Sequence, residues 1–129
     1  MLCPNCQKEM IVVERNQIEL DYCINCNGFW FDNNEWNLLI QKLTQENNYN
    51  YDIDLYNIPK AIVKENIKKC PICNTKMDKF IAYDIILDRC PNKHGIWFDK
   101  NEISKFINYT NLNNNKTPIK FLGEIFYGN

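Results

Sequence analysis

Seven cysteines and the single histidine of the chain fall into two series of nearly equal spacing. Cys3, Cys6, Cys23 and Cys26 read C-x2-C-x16-C-x2-C, and Cys70, Cys73, Cys90 and His94 read C-x2-C-x16-C-x3-H. A C-x2-C loop turns tightly enough for both sulfurs to reach one ion, and two such loops on neighbouring hairpins supply four corners of a tetrahedron. Zinc takes this donor set without a redox role, so the spacing predicts two Zn2+ ions. For the first series iron on four thiolates stays open, because its ligands would be identical. In the second, Lys93 stands where Cys26 stands in the first and offers no soft donor at neutral pH. His94, one residue on, is expected to be the fourth ligand, its longer ring absorbing an extra residue in the loop.

Both ligand sets are complete, which leaves no open position for an activated water, and there is no second histidine to act as a base. The chain is therefore read as no enzyme. Asp32 with Glu35, and Asp99 with Glu102, could be mistaken for catalytic carboxylate pairs. Their three-residue spacing ahead of an apolar run fits capping boxes at two helix starts instead. Trp30 and Trp97 are expected to pack against the hairpins and metal sites rather than to serve as stacking platforms for bases. Gly28 and Gly95, two residues before them, suggest a left-handed turn or a close approach.

The elements that position these residues come in duplicate. Shifted so that Cys70 lies over Cys3, the sequence matches itself at Pro4 with Pro71, Met10 with Met77, Gly28 with Gly95, and Trp30-Phe31-Asp32 with Trp97-Phe98-Asp99. Such internal repeats define architecture. In the first unit β-rich runs from Met10 to Arg15 and Ile18 to Cys23 flank Asn16-Gln17, which predicts a hairpin. Lys79 to Ala82 and Ile85 to Arg89, turning at Tyr83-Asp84, predict its counterpart. Beyond each aromatic triplet, Trp36, Leu39, Ile40 and Leu43, and then Ile103, Phe106 and Ile107, recur at helical spacing.

The expected organisation is a first zinc ribbon and helix over 1–43, a linker over 44–69, a second ribbon and helix over 70–109, and a spacer with an apolar end over 110–129. The linker passes through Ile58-Pro59 into AIVKEN, read as a short helix with Pro59 in its first turn. Its Ile53, Leu55, Ile62 and Val63 would either tie the units together or bind a partner. TNLNNNKTP reads as a spacer, and IKFLGEIFYGN is expected to pack on the body or on another subunit. The fold class is a small metal-stabilised α+β protein, each ribbon a zinc knuckle plus β-hairpin followed by a short helix. A unit of this size cannot rest on its hydrophobic core alone, and a structural zinc contributes on the order of 10 kcal/mol.

With 129 residues and a net charge of −1, the chain lacks the basic excess of a typical nucleic-acid binder. An odd cysteine count, the absence of an export signal at the start and the absence of a long apolar run point to a cytoplasmic protein with no membrane association. The halves differ in charge. Residues 1–43 hold Lys8, Arg15 and Lys42 against six acidic side chains, whereas residues 70–110 hold six basic against five acidic. Lys76, Lys79, Arg89 and Lys93 are therefore the candidate nucleic-acid-binding residues.

C-P-x-C, a hairpin, and then C-x2-C-x-G-x-W-F-D-x-x-E resemble the small zinc-ribbon proteins of the transcription factor IIB-type zinc-finger family. Both units match, over residues 3–41 and 70–107, and the C-P-x-x-H-G-x-W-F-D ending resembles a variant with His94 in the last ligand place. The resemblance implies the ribbon fold, the zinc and, as a family setting, transcription. The leading expectation is a protein-interaction or adaptor module. The alternatives are a nucleic-acid-binding regulator using the second ribbon, and a thiol redox or metal-handling protein built on the C-x2-C pairs.

Overall fold

A computed structural model describes every residue except 16, 48–52 and 113–129. Its elements are β1 (Ile11–Arg15), β2 (Ile18–Tyr22), β3 (Phe29–Asp32), α1 (Asn33–Asn47), β4 (Asp78–Ala82), β5 (Ile85–Arg89), β6 (Gly95–Phe98) and α2 (Lys100–Leu112). The two ribbon hairpins form as the β-branched runs predict. Tyr83 and Asp84 close the second in a two-residue turn, both at positive φ as the twist-matched hairpin turn requires, and Gln17 takes positive φ just before β2.

The two units do not stand apart. Their third strands pair antiparallel, Phe29 with Phe98, Trp30 with Trp97, Phe31 with Ile96 and Asp32 with Gly95. One six-stranded sheet results, ordered β1-β2-β3-β6-β5-β4, with a pseudo-twofold axis between β3 and β6. The expectation of two ribbons held by a linker missed this join. The aromatic triplets, whose tryptophans are expected from sequence to pack on the hairpins and metal sites, are themselves the strands that fuse the halves.

Alternation along these strands sorts the side chains. Phe29, Phe31, Ile96 and Phe98 face the helices and form one core with Leu39, Leu43, Phe80, Leu87 and Phe106. Trp30 and Trp97 face the other way and join Met10, Met77 and four cysteines in a second cluster. A one-residue slip in β3 would exchange the two sets, so both cores fix the register. On the helix side Trp36 stacks on Phe98, with centroids 5.6 Å apart, across the boundary between halves.

Asp32 caps α1 as expected, accepting from the Glu35 N–H at 2.9 Å. The reciprocal half of the capping box is absent, because Glu35 turns to accept the Glu19 N–H instead. The linker departs further from expectation. AIVKEN is not helical; the segment passes β4 without regular structure, bends at Lys64 and Glu65, and the Ala61 N–H donates to the Lys79 carbonyl at 2.8 Å. A helix there would have little apolar face beyond β-branched Ile62 and Val63 and no core to cover, whereas the irregular chain satisfies an edge carbonyl of the sheet. Leu55 does tie the units, buried with its carbonyl held by the Arg89 guanidinium at 2.5 Å, but Ile62 is fully exposed. Of the spacer read over 110–118, residues 110–112 instead continue the second helix, and the rest, with the apolar segment over 119–129, lies outside the described residues.

Candidate metal centres

In each half the first C-x2-C loop precedes the first strand of the hairpin, and the second connects the hairpin to the third strand. The sheet therefore delivers both loops to one place. Cys3, Cys6, Cys23 and Cys26 form one cluster and Cys70, Cys73, Cys90 and His94 the other, with all ligand atoms of a cluster within 4.8 Å of one another. Cys3 Sγ lies 3.7 Å from Cys26 Sγ, and Cys73 Sγ 3.6 Å from Cys90 Sγ. A tetrahedron of sulfurs about 2.3 Å from zinc has edges of about 3.8 Å, so the spacing suits one ion per cluster. His94 turns Nδ1 inward, 3.5 Å from Cys90 Sγ and 4.0 Å from Cys70 Sγ. Two zinc ions fit the two donor sets. Their chemistry there is structural, since each set fills four positions with protein atoms.

The backbone shows how His94 came to be a ligand. Three loops close with an N–H four residues after the first cysteine bonding back to its carbonyl: Gln7 to Cys3, Asn27 to Cys23 and Asn74 to Cys70. Those three residues take positive φ, 61°, 64° and 62°. The fourth loop closes one residue earlier. Lys93 takes φ 63° and donates to the Cys90 carbonyl at 2.9 Å. The loop is no longer than its twin, because Cys90 N–H still meets the Gly95 carbonyl as Cys23 N–H meets that of Gly28. No extra residue needed absorbing: the turn residue and the ligand exchanged places within a loop of fixed length.

Amide donors surround the sulfurs. Asn5 and Cys6 N–H groups point at Cys3 Sγ, and those of Ile72 and Asn92 at Cys70 and Cys90. Asn25 Nδ2 donates to Cys6 Sγ at 3.1 Å, and its twin Asn92 to Cys73 Sγ at 3.5 Å. Sequence reading passed over both asparagines, although their identity at matched positions was a usable signal. Burial pushes the Cys3 thiol up and the Cys70 thiol up to about 12, while hydrogen bonds from Thr75 and Asn92 draw Cys73 down to about 5. A bound cation displaces the protons that burial holds on Cys3 and Cys70, so metal loading releases protons and weakens as pH falls.

The tryptophans are crossed. A Cβ on Gly28 would lie 2.2 Å from the Trp97 ring, and one on Gly95 would lie 2.7 Å from the Trp30 ring and 2.3 Å from the Phe31 carbonyl oxygen. Each glycine is needed for close approach of an aromatic from the opposite half. Both indoles are fully buried, which removes them as stacking platforms.

The indole nitrogens break the symmetry. Trp97 Nε1 donates to Asp99 Oδ1 at 3.0 Å, whereas Trp30 Nε1 has no partner among the described residues because Asp32 is spent on the helix cap. Asp99 is not the side-chain cap its spacing suggested. It accepts Asn5 Nδ2 at 2.6 Å and pairs with Lys68 at 3.2 Å, joining the first metal loop to the second half. Burial would raise its pKa, but the bonds from Asn5 and Trp97 and the charge of Lys68 hold it below the ordinary range. Lys68 also reaches Asp88, which in turn holds Lys79 at 2.7 Å.

Of the four candidate nucleic-acid-binding residues, Lys76 and Lys93 are exposed. Lys79 and Arg89 are buried, the first between Asp88 and Glu65, the second over the Phe80 ring and on the Leu55 carbonyl.

Paired clusters, crossed glycines and duplicated hairpins agree with the comparison by family. The pattern described as transcription factor zinc-finger, a zinc ribbon of the transcription factor IIB type, matches residues 2–42 and again 69–109. The chain belongs to that family. In this zinc-ribbon protein the two matches are the two halves of one sheet. No curated protein and no solved structure matches the chain. No helix among its described residues is long and apolar enough to cross a membrane.

Proposed function

We propose that this tandem zinc-ribbon protein is a non-enzymatic, cytoplasmic binding module that presents its surface to a protein partner, as an adaptor. The observation that carries this reading is the enclosure, among the described residues, of most groups that could do other work. Four ligands surround each metal position, both tryptophans at the centre of the sheet are buried, and two of the four candidate phosphate-binding cations are held inside. Ile11, Val12, Ile24, Ile62, Ile72 and Ile81 are left exposed, an apolar supply suited to protein contact. The family's description supports transcription as the setting of that contact. Affinity capture with the zinc-loaded full chain from its native host is expected to return a protein whose binding survives nuclease treatment. Capture only of nucleic acid would overturn the reading.

A nucleic-acid role would rest mainly on Lys76 and Lys93. Two phosphate contacts give a shallow salt dependence, and we expect no gel shift at physiological salt. A thiol-redox role is tested by alkylation: with both zinc ions bound, the thiols are expected to react slowly.

A further inference from the structure

The two outer edges of the sheet are not equivalent. At β4 the segment around Ala61 is seated on the edge. Its main chain bonds Lys79, Lys60 pairs with Asp78 at 3.6 Å and Glu65 with Lys79 at 3.8 Å. The chain then crosses to the metal face and sets Lys68 on Asp88. At β1 no described segment bonds the Val12 main chain.

Register makes the comparison residue by residue. Val12 lies opposite Asp21 as Lys79 lies opposite Asp88, and a single row runs Val12, Asp21, Trp30, Trp97, Asp88, Lys79 across all six strands. Ile11 therefore holds the place of Asp78, Val12 that of Lys79, and Met1 that of Lys68. Ile11 and Val12 are 46% and 63% exposed. Asp21, half-buried, has no ion pair among the described residues, whereas its twin Asp88 has two lysines. The terminal amine, which stands at the place of Lys68, is bonded to Glu9 at 2.9 Å instead.

We propose that the β1 edge receives an extended segment of a partner protein, which pairs with the Val12 main chain, packs apolar side chains on Ile11 and Val12, and brings a lysine or arginine to Asp21. The seated linker makes one such main-chain bond, Ala61 N–H to the Lys79 carbonyl, and the substitutions at β1 specify how the occupant differs. Where the linker carries Lys60 and Glu65 to meet Asp78 and Lys79, the partner is apolar to meet Ile11 and Val12. Where the linker carries Lys68, the partner keeps its cation. This is strand addition, in which main-chain bonds supply affinity and alternate side chains supply selectivity. The six acidic against three basic residues of the first unit favour a basic segment.

The inference rests on the protein-binding reading and is tested separately from it. The probe is the peptide of residues 58–68 with Lys60→Val and Glu65→Val, titrated into the zinc-loaded, nitrogen-15-labelled full chain. Saturable shifts centred on residues 11–13 and 21 are expected, with a Kd below about 100 µM. Val12→Lys rebuilds the Lys79–Asp88 pair within the chain and should weaken binding about tenfold or more; Asp21→Asn should weaken it severalfold. Both positions lie at or near the surface, and unchanged zinc content with dispersed spectra confirms folding. Absence of binding at about 1 mM peptide, or equal binding by both variants, overturns the inference. So does a concentration-dependent dimer that Val12→Lys abolishes, which would assign the edge to a second copy. If the captured protein partner binds Val12→Lys and wild type alike, the protein-binding reading stands and this inference fails.

Discussion

Laid over one another, the two halves of the sheet share their hairpins, their helices and the glycine–tryptophan contact, yet differ at three points. The fourth ligand is Cys26 in one and His94 in the other. The acid after the aromatic triplet caps a helix in one and joins the halves in the other. The outer edge ends in Val12 or in Lys79. The shared features are those each half needs in order to pack on its twin. Of the differing ones, two lie at a metal position and at an outer edge, and the third, Asp99, makes a contact between the halves that Asp32 does not reciprocate.

Metal removal makes the strongest attack on this comparison. If each half depends on its ion, chelation of both should abolish the cooperative thermal transition and most of the β-sheet circular dichroism, since each site contributes on the order of 10 kcal/mol. If the halves depend on each other, removing one ion should disturb both. His94→Ala is expected to lower zinc content from two to one and to shift resonances of Trp30 and Gly28 as well as those of the second half. Confinement of the shifts to residues 69–109 would separate the halves. The paired substitution Lys93→Cys with His94→Asn copies the first loop into the second. It should restore two metals and, with cobalt as reporter, give two spectra of the four-thiolate type.

Smaller effects sharpen the comparison at the interface. Gly95→Ala should destabilise more than Gly28→Ala, because the added methyl meets a carbonyl oxygen as well as an indole. About 3 kcal/mol against about 1–2 kcal/mol is expected from denaturant melts. Asp99→Ala removes the acceptor of Asn5 and Trp97 and leaves Lys68, 10% exposed, with Asp88 as its ion-pair partner; it should cost about 2 kcal/mol, whereas Asp32→Ala loses a helix cap at about 1 kcal/mol. The Asp99 carboxyl is held below its unfolded pKa, so its contribution is present at neutral pH and is lost as pH falls through the folded value. In Asp99→Asn that part of the acid sensitivity should be absent from melts.

Much of this was legible in the sequence because it is local. Cysteine spacing defines the donor sets, β-branched runs define the hairpins, and Trp36, Leu39, Ile40 and Leu43 define the buried face of a helix. What escaped was pairing at long range. FWFD and GIWF are too short and too uniformly apolar to show alternation, so nothing in them marks the β3–β6 join. The same distance hid Asn5 from Asp99 and Gly28 from Trp97. Lys79 and Arg89 read as surface charge since burial of a cation depends on a partner elsewhere, Asp88 for one and the Leu55 carbonyl for the other. The His94 loop was misjudged by one residue because a turn that closes early leaves no trace in length.

The antiparallel pairing of β3 with β6 has a further consequence. An interface in which each side offers the same elements to the other is the geometry of a symmetric dimer, and here both members sit on one polypeptide. Residues 1–47 expressed alone would expose β3 and the Gly28 notch, and should associate with a second copy or with a separately added second half. Covalent linkage supplies by proximity, at an effective concentration in the millimolar range, what two free chains would have to find by collision.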